Sequence, residues 1–128
     1  MPMRLPLIAA AVLVLAACAP EDIVPTGPMA LDGVTFSVEA LPAVDGACDP
    51  SQPFRARVRW DVQDWGDPRF DLHLRSTQGQ LTARYNAASG EHVTDGWAHE
   101  GLYILLVDRS SRMLVAAQPV PALVCPPR

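Results

Sequence analysis

Among its 128 residues the chain has no lysine, and its ten cations are all arginine. Arginine codons are GC-rich, so this reads first as genome composition and only second as a demand for guanidinium chemistry. Without lysine there is no Ser-x-x-Lys motif, and no serine sits in a Gly-x-Ser-x-Gly elbow. Positive charge is scarce: the formal net charge is −4, and the part beyond Arg4 is more negative still. That balance argues against a general nucleic-acid binder. Cysteine is limited to three positions with no CxxC and no histidine close by, which speaks against redox or metal duty for the thiols. No helical period appears anywhere in the chain, and the length allows one domain with one modest core.

What the chain does have is alternation. Phe54, Ala56, Val58, Trp60 and Val62 interleave with Arg55, Arg57, Arg59 and Asp61, giving a strand with one buried side and one polar side. A single strand cannot bury itself, so the rest of the chain must supply partners and a second layer for Trp60. Residues 34–41, 70–75, 81–86, 91–95, 101–107 and 113–118 read as further short strands, separated by turns rich in Gly, Pro, Asp and Ser. The run from Gly101 to Val107 is almost wholly apolar, as expected of a strand in the middle of its sheet. Seven strands at this spacing predict an all-β sandwich.

The N-terminus follows a targeting pattern. Arg4 precedes an apolar run over residues 5–17, too short to span a bilayer but long enough for a signal-peptide core. It closes on Leu15-Ala16-Ala17-Cys18, which resembles the lipobox of bacterial lipoproteins. The resemblance implies that residues 1–17 are removed as a signal peptide. It also implies that Cys18 carries acyl chains (diacylglyceryl and N-acyl, palmitate among them), and that the protein partners the membrane through them. Ala19 after the cysteine, in place of Asp, implies an outer-membrane destination facing the periplasm. The alternative, a secretory signal cut after Ala17-Cys18-Ala19, gives a soluble protein. Residues 18–30, with three prolines and no usable apolar period, read as lipidated N-terminus and extended tether, leaving residues 31–128 as the domain. In an exported chain the two remaining cysteines, Cys48 and Cys125, read as a disulfide that closes most of the domain into one loop.

Trp60 within Val58-Arg59-Trp60-Asp61-Val62, Trp97 and Gly101 ahead of Leu102-Tyr103-Ile104-Leu105, and Leu114-Val115-Ala116 on the last strand resemble a fibronectin type III or immunoglobulin-like module. More narrowly, residues 90–125 are similar to small cysteine-stapled Ig-like domains of Gram-negative envelope proteins. The resemblance implies a seven-stranded sandwich with no catalytic residues and no cofactor. Cys48 and Cys125 depart from the immunoglobulin pattern, in which a central disulfide ties the sheets.

Several residue groups carry candidate chemistry. Asp61, Asp64 and Asp67 crowd one loop, but their spacing of three is not that of an EF-hand, and Asp, Gly and Pro there suit a plain turn. His73, His92 and His99 are too dispersed for zinc, and His73 falls on a polar face as a surface histidine. Glu91, Asp95 and Glu100 read as a charged sheet edge in preference to a pair of glycosidase acids. Arg55, Arg57 and Arg59 form a row spaced ~7 Å apart, suited to phosphates or carboxylates, or else paired with neighbouring acids. Trp65 sits in a loop where no alternation demands it, either as a partner anchor or as a cap on the sandwich. The expectation is a non-catalytic, lipid-anchored module that binds or positions another envelope component. The alternative is an inhibitor or ligand-binding lipoprotein acting on an envelope hydrolase, for which stoichiometric inhibition by the purified domain is the discriminating observation.

Overall fold

The computed structural model describes residues 21–127; the signal segment and Cys18 lie outside the described residues. Eight strands form, in chain order β1 (Met29–Ala30), β2 (Val34–Leu41), β3 (Arg55–Val62), β4 (Phe70–Leu74), β5 (Leu81–Tyr85), β6 (Ser89–Val93), β7 (Tyr103–Asp108) and β8 (Leu114–Pro119). They make two antiparallel sheets, one of five strands in the order β1-β8-β7-β4-β5 and one of three in the order β2-β3-β6. No helix of the described residues is long and apolar enough to cross a membrane.

The alternation of β3 does what its period requires. Ala56, Val58, Trp60 and Val62 are buried against the opposite sheet, while the arginines face out. Phe36 of β2 lies opposite Trp60, and Phe70, Leu72 and Leu74 of β4 and Ile104 and Leu106 of β7 complete the core from the other layer. β7 lies between β8 and β4, and its outward residues Leu105 and Val107 are also buried, in a second cluster with Ala117, Met29, Tyr103 and Leu114. Burial on both faces is why alternation vanishes there. A bulge between Leu106 and Val107 leaves Val115 of β8 as the extra residue, so consecutive Val115 and Ala116 both enter the core.

Two elements differ from the sequence reading. Met29 and Ala30 fall within the stretch read as tether, yet they pair with Ala117 and Ala116 of β8. Two residues are too few to show any period. The strand expected over residues 91–95 lies at Ser89–Val93, with Gly90 directly opposite Trp60. A Cβ on Gly90 would stand 2.5 Å from Cζ2 of that indole, so glycine is what lets β6 pair over it.

Cys48 and Cys125 are bonded, with Cα atoms 5.7 Å apart and a sequence separation of 77. They join the loop after β2 to the segment after β8, at the end of the sandwich where β3 begins and β4 and β6 finish. We refer to it as the disulfide end. The opposite end carries the loop of residues 63–69 and the β7–β8 turn.

Candidate functional site

The arginine row lies on the outer face of the three-stranded sheet, and each member already meets an acid. Arg55 Nη2 is 2.6 Å from Asp45 and its Nε donates to the Pro42 carbonyl at 2.7 Å. Arg57 reaches Glu39 at 3.2 Å and Glu91 at 2.7 Å, and Arg59 lies 3.6 Å from the same Glu91 carboxylate. Three cations thus face three carboxylates, contributed by β2, the loop after it and β6. Partly exposed pairs of this kind contribute ~0–1 kcal/mol each and leave little excess field for an anion.

Trp65 follows Asp64, whose φ of 57° turns the chain. Its half-buried ring packs on Phe70, centroids 5.6 Å apart, at the end opposite the disulfide. Of the loop acids, Asp67 pairs with Arg69 at 3.2 Å. Among the described residues no group of three or more His, Cys, Asp or Glu side chains is placed to hold a metal ion.

The histidines are apart, and His73 is not the surface histidine that alternation suggested. Its Nδ1 lies 2.8 Å from the Gly79 carbonyl and its Nε2 3.8 Å from Asp71. Asp71, buried on the outer face of the five-stranded sheet, also holds Arg109 at 2.8 Å and Arg84 at 3.4 Å. The β4–β5 turn folds back over His73 and the incoming chain covers that turn, a contact that period alone cannot show. His92 Nδ1 is 2.7 Å from the Tyr85 hydroxyl, and Tyr85 packs on Trp60 with centroids 4.8 Å apart. This contact joins β5 of one sheet to β6 of the other. Burial pushes the His92 imidazole below its ordinary range, outweighing the negative charge of Asp95, which acts in the opposite direction. His99 is exposed beside the Glu100 carbonyl.

Sequence reasoning missed the disulfide end as a surface. Leu81 and Val93, 41% and 40% exposed, flank a cleft with Trp97, itself 36% exposed. Trp97 is held from both sides. Thr94 exchanges bonds with Ala56 through its backbone and its Oγ1, and Ala98 bridges to Phe54 at 2.7 and 2.9 Å. A second cleft of about 320 Å³ lies between Trp97, His99, Leu102, Gln80 and Arg75. Arg75 takes a φ of 74°, a left-handed backbone that costs a side-chain-bearing residue ~1 kcal/mol or more. Arg75 and Arg112 are the two described arginines without a carboxylate partner.

The chain enters the fold at this same end. The Ile23 N–H donates to Thr77 Oγ1 at 2.8 Å, the Thr77 N–H returns a bond to the Ile23 carbonyl at 3.0 Å, and Thr77 Oγ1 donates to the Glu21 carbonyl at 3.3 Å. The Gln78 N–H adds a bond to Asp22 Oδ1 at 3.0 Å. Thr77 is buried by the contact. No single motif announces the site. Its residues come from five separate segments, and only the pairing of the strands brings them to one end. Comparison with known proteins finds no family model, no curated protein and no solved structure that matches this chain.

Proposed function

We propose that this protein is a lipid-anchored, non-catalytic module of the bacterial cell envelope, held by acyl chains on Cys18 and serving to bind or position another envelope component. One observation carries the reading: an apolar run with Arg4 before it closes on Leu15-Ala16-Ala17-Cys18, three residues ahead of chain that is hydrogen-bonded to a disulfide-closed sandwich. A disulfide over so long a loop belongs to an oxidising compartment, which agrees with export. Its function is tethering: a permanent anchor raises the effective concentration of the domain near any partner in the same envelope layer.

Within this reading the sandwich is of the fibronectin III or immunoglobulin-like kind. Apart from the two-residue β1, three strands face four, and β5 pairs with β4 while β6 crosses to β3. That division of the strands between the two sheets supports the assignment. The Ala19 position supports an outer-membrane destination.

The experiment is fractionation of a Gram-negative host expressing the full chain, fed labelled palmitate. Label and protein together in the outer-membrane fraction, both lost in Cys18→Ser, are the expected result. Wild-type protein free in the periplasm without label overturns the anchor. Cross-linking in intact cells followed by pull-down then identifies the component held.

A further inference from the structure

The incoming chain is tied to the domain at Glu21, and this constrains how an anchored molecule sits. Three residue steps separate Cys18 from Glu21, a reach of roughly 11 Å at full extension. The Glu21 carbonyl is itself bonded to Thr77 in the β4–β5 turn. An acyl chain on Cys18 therefore holds the disulfide end beside the headgroups. The eight residues of β3 set the other end farther off by about 26 Å when the strands stand away from the surface.

The distribution of exposed apolar side chains follows the same axis. Ile23 and Val24 lie on the incoming chain, Leu81, Val93 and Trp97 around the adjoining cleft, and Val44 and Val124 on the segments beside the disulfide. Of the large exposed hydrophobics among the described residues, Met113 alone is at the far end. A soluble surface rarely collects so many at one place without a partner to cover them. Tryptophan suits the headgroup level because its ring is apolar with one polar edge, and unpaired Arg75 beside it meets lipid phosphate.

We propose that the disulfide end is a bilayer-contact face, with Trp97, Leu81 and Val93 seated at headgroup depth and the Trp65 end presented away from the membrane. The inference rests on the lipid anchor proposed above. Glu21, Asp22, Asp95 and Glu100 lie at or near the same end, so attraction to anionic lipid does not drive the contact. Apolar insertion under a short tether does, and the contact therefore persists at high salt.

The test uses the lipidated full-length protein in vesicles of phosphatidylethanolamine and phosphatidylglycerol carrying a headgroup spin label that quenches tryptophan. Trp60 is buried in the core and out of contact with the quencher, adding only a constant background, so Trp97 and Trp65 report the two ends. Quenching retained in Trp65→Phe, lost in Trp97→Phe and unchanged by added salt is the expected result. Loss in Trp65→Phe instead, or no quenching while the protein floats with the vesicles, overturns the orientation and leaves the apolar end to a protein partner. Thr77→Val removes the Oγ1 bonds to Ile23 and Glu21, and it is expected to reduce Trp97 quenching while the protein stays bound. Protein that fails to float at all refutes the anchor itself, an outcome distinct from a wrong orientation.

Discussion

Gly90→Ala tests whether β6 is seated over Trp60 as described. The new Cβ would lie 2.5, 2.9 and 3.1 Å from Cζ2, Cη2 and Cε2 of the indole, where ordinary contact begins near 3.4 Å. The ring must retreat by about 0.9 Å, and it has little room. Tyr85 packs on it at 4.8 Å, and its Nε1 donates to the Ala87 carbonyl at 3.1 Å. Overpacking of this kind costs ~1–3 kcal/mol, and the strained indole bond adds ~1 kcal/mol. Alanine's lower backbone entropy cost returns roughly 0.5–1 kcal/mol. The net expectation is a loss of about 1–3.5 kcal/mol, read by urea unfolding with an unchanged m-value, at roughly 4–8 °C in Tm per kcal/mol for a domain of this size. Repeating the substitution in a Trp60→Phe background should shrink the loss by at least about 1 kcal/mol, since the clashing ring is gone. A change below ~0.5 kcal/mol, or the same loss in both backgrounds, refutes the placement of Gly90.

Replacing both Cys48 and Cys125 with serine opens a loop of 77 residues. In the chain-entropy model that is worth about 4–5 kcal/mol, and equal unfolding curves for variant and wild type would contradict it. Asp71→Ala takes the carboxylate from Arg109, which stays part-exposed and keeps its bonds to Asn86 and the Phe70 carbonyl, and is expected to cost about 1–2 kcal/mol, whereas Arg84→Ala, removing an exposed partner, changes stability by less than ~0.5 kcal/mol. Equal effects would show that Asp71 is not the buried hub. His92 has its folded pKa depressed mainly by burial, so the unfolded chain binds the proton first as pH falls below the ordinary value of 6.5. Stability contributed by neutral His92 is therefore lost on acidification through the window below 6.5, and His92→Gln should flatten the pH dependence. Parallel pH profiles would remove His92 from the account.

Strands β2 and β3 were legible because one side of each faces water, and residues 54–62 display that contrast in full. Strand β4 alternates in sequence in the same way, although the structure covers Asp71 and His73 on its polar side, and β5 alternates with its first apolar residue, Leu81, exposed. Pairing was less legible, because alternation states which residues share a face and not which strand lies beside which. Thus β5 and β6, three residues apart, belong to different sheets, and β6 was displaced by two residues because Gly90 has no side chain to mark its place. The candidate site suffered most. The partners of Arg55, Arg57 and Arg59 come from Asp45, Glu39 and Glu91, which only the register brings opposite them. The apolar end is assembled from Ile23, Leu81, Val93 and Trp97, each unremarkable where it stands in the chain.

The lipid anchor is the claim on which location, orientation and tethering all depend, and mass spectrometry of the mature N-terminal peptide from protein made in a bacterial host tests it most directly. The account predicts a chain that begins at Cys18 and carries the added mass of a diacylglyceryl group and an N-linked acyl chain. A mature chain that begins at Pro20, or one that retains an unmodified Cys18, contradicts it.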